Sequence, residues 1–530
     1  MTGRFAGTGT LLRLAVRRDR VTAPVWVLVT GLLVVSMPRS LGSVYATAAE
    51  RASVAASMNA NGSMRALYGP VSGESLGALT AWRAGVFGAV LAAVMSLVVV
   101  VRHTREEEET GRQELLGAGA VGRRAPLTAA LLAAFAADAA VAVLVAGGLA
   151  GQGASGALAL GLGIAGTGML FAGAAAVAAQ LTGSARAAKG LTAGVLGAAF
   201  VLRAVGDAGT PGGRSALTWA SPLGWLENVR AFAGERWWVL GLFAAGAAAL
   251  TGGAYVLAGR RDLGAGLLPD RPGPAEGRLG SAGALARRLQ RGTVLAWSAA
   301  FLIAGLVFGG MADGAAEVVG DNERTRRIIE RMGGQSGLTD AFLAAMAGLL
   351  GMAAALFAVS CVLRLHGEET SQRAEPLLAN AVGRLRWAGG HLTVAFGGSA
   401  LILLLAGIGL GLGHGGGDGA GAGPAATVGA CLAQLPAVWA VGALAVLLYG
   451  AAPRYAVAAW AVAGAALALG WIGPALGLPQ AVMDLSPFAH LPKLPGPGAW
   501  DPAPSLVLTA LAAALTAAGL AALRRRDLAA

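Results

Sequence analysis

The chain has 530 residues, of which 56% are hydrophobic and 13% charged, and its mean hydropathy is +0.65. Soluble domains carry roughly a quarter charged residues, so water is not its main solvent. Two cysteines, Cys361 and Cys431, both inside apolar runs, exclude a disulfide framework and any zinc-ligand spacing.

From the N-terminus, Arg13, Arg17, Arg18 and Arg20 precede an apolar run. That run leads into further spans without a small-residue cleavage site, so it reads as a retained first helix rather than a signal peptide. Runs long enough for a roughly 30 Å hydrocarbon core lie near 22–38, 84–101, 126–150, 157–180, 189–205 and 238–258. Six more follow near 293–311, 341–363, 391–412, 425–449, 455–478 and 505–523. Between them the outer loops 39–83 and 312–340 are the longest, and residues 317–334 read as a charged amphipathic helix. The expected fold is therefore all-α and integral to the membrane, with about 12 transmembrane helices.

With an even number of spans both termini share one side. That side carries 27 of the Lys and Arg residues and the opposite side 13, so the positive-inside rule makes the termini cytoplasmic. Acidic residues outside the spans divide 13 against 14. The net charge of +12 is thus accounted for by topology and anionic lipid, and nucleic acid is not needed as a partner.

The sequence is written twice. Residues 107–123 read EEETGRQELLGAGAVGR and residues 368–384 read EETSQRAEPLLANAVGR. At an ungapped offset of 261, Glu107, Glu108, Arg112, Glu114, Gly122 and Arg123 meet Glu368, Glu369, Arg373, Glu375, Gly383 and Arg384. Ser221-Pro222 echoes Ser486-Pro487, Arg186 echoes Arg454, and 260–263 and 525–528 both read RRDL. Because six spans separate the copies, the halves run parallel about an axis along the membrane normal, the design of a protein with a central pathway. The expected domains are 1–265 and 283–530, two six-helix halves joined by a cytoplasmic linker at 266–282.

Loose selection on lipid-facing residues leaves a loop held through duplication as the informative element. Glu108 and Arg112, and Glu369 and Arg373, stand at i, i+4 with the acid first, which favours a short helix. Gly122 and Gly383 are expected to end that helix, with Arg123 and Arg384 at its cationic end. Leu115, Leu116, Leu377 and Leu378 would dock into a groove on a partner. Small-xxx-small spacing at Gly147/Gly151 and Gly407/Gly411 points to close helix crossings.

The spans, the repeated loop and the segment SPLGWLENVRAFAGERWW at 221–238 resemble the bacterial ABC-2-type permeases known as polyketide antibiotic exporters, in which two six-helix halves are fused. The resemblance covers essentially the whole chain. It implies export of a hydrophobic or amphiphilic molecule across a bacterial plasma membrane, powered by a separate ABC ATPase subunit present in two copies. ATP and Mg would then be bound by that subunit, and this chain would hold no cofactor. The resemblance also makes the repeated loops the coupling helices that contact the ATPase, and places amphipathic elbow helices at 10–20 and 283–291. Short re-entrant outer helices are implied before the last span of each half, where Trp219, Trp225, Trp237 and Trp238 fit as interface aromatics. The proline-rich stretch 486–504 departs from that pattern.

No G-x4-G-K-[ST] stands anywhere in the chain, nor any Gly-Lys dipeptide, so it has no P-loop lysine and is not expected to be an enzyme. GGQSG at 333–337 lacks the leading Leu-Ser of an ABC signature. The alternative is a proton-coupled drug antiporter of the major-facilitator type, but Gly122-Arg123-Arg124 lacks the Asp its loop signature requires. Coupling also needs ionisable groups within the membrane. Asp138 in the third span is the clearest, with Ser399 as its counterpart, and a helix-packing hydrogen bond is the plainer role. The five histidines are scattered, read as interfacial, and form no catalytic or metal set with acidic residues.

Overall fold

The computed structural model describes residues 2–117, 119, 121–210, 215–268, 279–319, 338–415, 423–476, 479–495 and 501–527. The chain divides into two compact units, Met1–Pro272 and Gly273–Ala530. The linker expected at 266–282 lies largely outside the described residues, as does most of the charged helix expected at 317–334. Among the described residues twelve helices are long and apolar enough to cross a membrane, which is the all-helical spanning architecture. Helices are the structures in which a single segment satisfies its own backbone hydrogen bonds in lipid.

In the first half the spans are Thr22–Val44, Leu76–Glu109, Ala125–Gln152, Ala154–Leu181, Ala185–Gly209 and Trp238–Ala258. The second and fourth are mostly buried, around Met95, Leu160, Ile164 and Phe171. The first and last are mostly exposed, as lipid-facing helices should be. Ahead of them Thr8–Arg18 forms the separate amphipathic helix expected near 10–20.

The second half contributes Ala282–Ala312, Thr339–Thr370, Arg384–Gly413, Pro424–Ala451, Pro453–Trp471 and Ala503–Arg525. Its core is the second to fourth of these, around Phe357, Trp387 and Tyr449. The elbow expected at 283–291 is not separate, because those residues continue without a break into the first span of this half. No proline stands there to part them, and the helix runs through Gly292 at the junction.

Small residues set the closest crossings. A Cβ on Gly407 would lie 2.5 Å from Val428 Cα, and one on Gly411 would lie 2.8 Å from Pro424 Cα, so this pair forms the expected crossing. Gly147 and Gly151 do not: a Cβ on either meets nothing within 4 Å, and Gly148 instead faces Val35. The helix turns its contact face one residue away from the expected register.

At the opposite end from the elbow, the loop expected at 39–83 folds into Ala48–Ala60 and Gly62–Tyr68. Arg65 donates to Asp207 O at 2.9 Å. Arg203, fully buried, donates to Glu227 Oε1 at 2.8 Å and to Ala66 O at 2.6 Å. These charges in and beside the fifth span escaped the sequence reading, although Arg203 and Asp207 stand i, i+4. The re-entrant element is a pair of short helices, Ala216–Ala220 and Pro222–Asn228, with Trp219 stacked on Trp238 at 5.6 Å. In the second half it shrinks to single turns at Gln480–Met483 and Pro487–His490, where proline leaves few backbone donors. Even so, Ser221 Oγ donates to Ala199 O at 2.7 Å and Ser486 Oγ to Ala466 O at 3.4 Å, so both Ser-Pro pairs fasten this element to the fifth span of their half.

Candidate functional site: the repeated loop and its root

In the first half Gly111, at φ 70°, separates the end of the second span from the short helix Arg112–Gly117. In the second half Gln372, at φ 57°, stands at the equivalent position, ahead of Glu375–Leu378. A left-handed residue ends one helix and redirects the next. It also shifts the expected ion pairs by one residue. Arg112 Nη1 pairs with Glu107 Oε1 at 3.3 Å and Arg373 Nε with Glu368 Oε2 at 3.0 Å, each one residue before the expected partner, Glu108 or Glu369.

Glu108 and Glu369 turn inward. Arg261 grips Glu108 with two nitrogens, Nη1 at 2.8 Å from Oε2 and Nη2 against Oε1. Arg526 grips Glu369 in the same way, with Nη1 and Nη2 each 2.6 Å from one oxygen. The side chains are 8% and 4% exposed in the first pair and 15% and 3% in the second. The fourth span of each half braces the contact. Arg261 Nε donates to Gln180 Oε1 at 2.6 Å, and the Tyr449 hydroxyl donates to Glu369 Oε2 at 2.6 Å.

Beyond the short helix the chain returns to the same place. Arg123 Nη2 donates to Ala258 O at 3.3 Å and Arg261 O at 2.7 Å. Arg384 Nη1 donates to Arg524 O at 3.5 Å and Arg526 O at 2.6 Å. The expected cationic end is thus the C-terminus of the last span, whose free carbonyls attract a guanidinium. Gly122 and Gly383 do not end the short helix, which stops before them. Gly122 lets residues 3–6 pass closely, its N–H donating to Ala6 O at 2.9 Å, and Gly383 is the N-cap of Arg384–Gly413.

The rest of the first acidic run is spent on other elements. Glu106 pairs with Lys189, Glu107 accepts from Arg18 of the elbow at 2.6 Å, and Glu109 accepts the N–H of Ala185 at 2.8 Å. The elbow is tied again by Asp19, 2.5 Å from His103 Nε2 and 2.7 Å from Arg102. Burial drives the Asp19 carboxyl upward, but the His103 hydrogen bond and the charges of His103 and Arg102 outweigh it and hold its pKa below the ordinary value. His103 is therefore buried rather than interfacial, and so is His391, 2.9 Å from Gln290 Nε2.

What remains outside is the tip. Glu114, Leu115 and Glu375 are exposed, Leu115 at 79%. Leu377 and Leu378 are half-buried against the core of the second half. Asp138, deep in the first half, accepts from Ser96 Oγ at 2.8 Å and lies against Gly168, joining the second, third and fourth spans. Ser399 accepts from Trp439 Nε1 at 3.2 Å in the second half. Arg261 and Arg526 were not singled out from the sequence, although the repeated RRDL was the signal that marked them.

Twelve apolar helices in two six-helix units define the class, an all-helical polytopic membrane protein of the permease kind. A family model described as the C-terminal domain of the multidrug efflux system permease Rv1217c matches residues 279–524. Over 529 residues, 99% of this chain and 95% of the relative, the sequence is 46% identical to the multidrug efflux system permease protein Rv1217c of Mycobacterium tuberculosis (strain ATCC 25618 / H37Rv). The chain belongs to that permease family.

Proposed function

We propose that this chain is the transmembrane subunit of an ABC-type exporter, moving hydrophobic or amphiphilic drug-like molecules, polyketide antibiotics among them, out of a bacterial cell. A separate ATPase subunit in two copies binds ATP and Mg and docks on the two loop tips. The loop ends and both termini face the cytoplasm, as the excess of arginine on that side requires.

One observation carries the reading. In both halves the root of the repeated loop is clasped by an arginine of its own half, while Glu114, Leu115 and Glu375 are exposed and pair with nothing among the described residues. An anchored base with an exposed acidic and apolar tip is what a docking helix needs. The M. tuberculosis relative is a multidrug efflux system permease by name, which supports a drug as cargo.

The test is co-expression with candidate ATPase subunits. A complex should survive detergent purification and export drug on ATP. The double variant Glu114→Arg/Glu375→Arg should insert normally yet lose the subunit and ATP-driven export. Normal export by that variant would sink the docking assignment, and efflux that collapses with the proton gradient while ATP remains would establish the antiporter instead.

A further inference from the structure

We propose that Arg261 and Arg526 are transmission residues, each conveying movement of the loop tip in its half to the last span of that half. The inference rests on the tips being ATPase docking sites and adds which element the docking moves.

A tip joined to its span through one left-handed residue would swing freely and dissipate any push at Gly111 or Gln372. The structure prevents this by closing the loop on itself. Before the tip, Glu108 is held by Arg261; after it, Arg123 holds the carbonyls of Ala258 and Arg261. Both grips fall on the same few residues at the end of the last span. The second half repeats this with Glu369, Arg526 and Arg384. A two-nitrogen grip on a carboxylate fixes orientation as well as separation, and a pair so removed from solvent is barely screened. The tip and the end of the last span therefore move as one body.

The two halves differ in how they brace this clasp. Gln180 supports the arginine in one and Tyr449 the glutamate in the other. The connection to the last span is built alike in both, the pattern expected if that connection is a working part. Each arginine is shielded by its glutamate and is not offered to a partner.

The experiment uses the permease reconstituted in lipid with its ATPase subunit, measuring subunit retention, ATP hydrolysis and drug exported per ATP. The double variant Arg261→Ala/Arg526→Ala should keep the subunit and its hydrolysis but lower export per ATP by at least about fivefold, the low end of ordinary coupling between sites. A purely structural role would lower assembly, hydrolysis and export together, and that result overturns the proposal. Unchanged export per ATP overturns it as well. Should the alanine variant fail to fold, Arg261→Lys/Arg526→Lys decides, because lysine keeps the charge and loses the fork. It should show a smaller loss of export per ATP with hydrolysis intact, and a wild-type ratio would overturn the inference. If no ATPase subunit binds the wild-type chain at all, the docking reading fails first and takes this one with it.

Discussion

Gly111 and Gln372 occupy the same turn in the two halves, at φ 70° and 57°, with different side chains. A Cβ in the left-handed region costs roughly 1–2 kcal/mol, so Gly111→Ala should lower stability by about 1 kcal/mol. Gln372→Gly should raise it by less, since glycine also loosens the unfolded chain. Thermal unfolding midpoints in detergent check both, and opposite signs at the two positions are the decisive outcome. The same residues explain a limit of sequence reading. Glycine at 111 is a visible break, glutamine at 372 is not, and an i, i+4 pattern drawn across either position assigns each arginine to the wrong glutamate. Asp138, by contrast, was readable because a charge in an apolar run has few ways to be accommodated.

At the scale of helices, the spans were legible because bilayer thickness fixes how long an apolar run must be, and all twelve runs correspond to helices. Their ends were not, since arginine and glutamate extend a helix past the hydrocarbon edge, as in Leu76–Glu109 against an apolar run of 84–101. Contact faces were partly legible. Gly407 and Gly411 lie at a crossing as expected, while the crossing of Ala282–Ala312 with Arg384–Gly413 was missed, where Gly305 and Gly309 face Ala406 and Leu410 and Gly409 and Gly413 face Leu302 and Leu306. A Cβ on Gly409 would sit 2.5 Å from the Leu302 carbonyl oxygen, which backbone cannot vacate. Gly409→Ala should therefore cost about 1–3 kcal/mol, as overpacking does. Gly147→Ala, with open space around it, should be neutral or stabilising by up to about 1 kcal/mol, the usual gain of alanine over glycine in a helix. Unfolding midpoints of the two variants separate the cases, and destabilisation at Gly147 would show that its face is covered from outside its own half.

Over the whole molecule, duplication made the loops stand out, but it could not name their partners, because Glu108 lies 153 residues from Arg261 and Glu369 lies 157 from Arg526. No periodicity spans such separations; only the recurrence of RRDL at the end of each half hinted at them. Among the described residues, the partners seen in each clasp (Arg261, Gln180 and Arg123; Arg526, Tyr449 and Arg384) belong to its own half, and this fixes how losses should combine. Removing Glu108 leaves Arg261 and the buried Arg105 uncompensated, at a cost of about 3–5 kcal/mol for a broken buried pair. Glu108→Ala and Arg261→Ala should then be strongly non-additive, the second change costing little once the first is made. Glu108→Ala with Glu369→Ala should instead sum to within about 0.5 kcal/mol, the behaviour of sites with no shared partner. Denaturant unfolding of these three single variants and the two double variants in detergent measures both, and an interaction energy between Glu108 and Glu369 as large as that within a clasp would mean that the two halves unfold as one cooperative body.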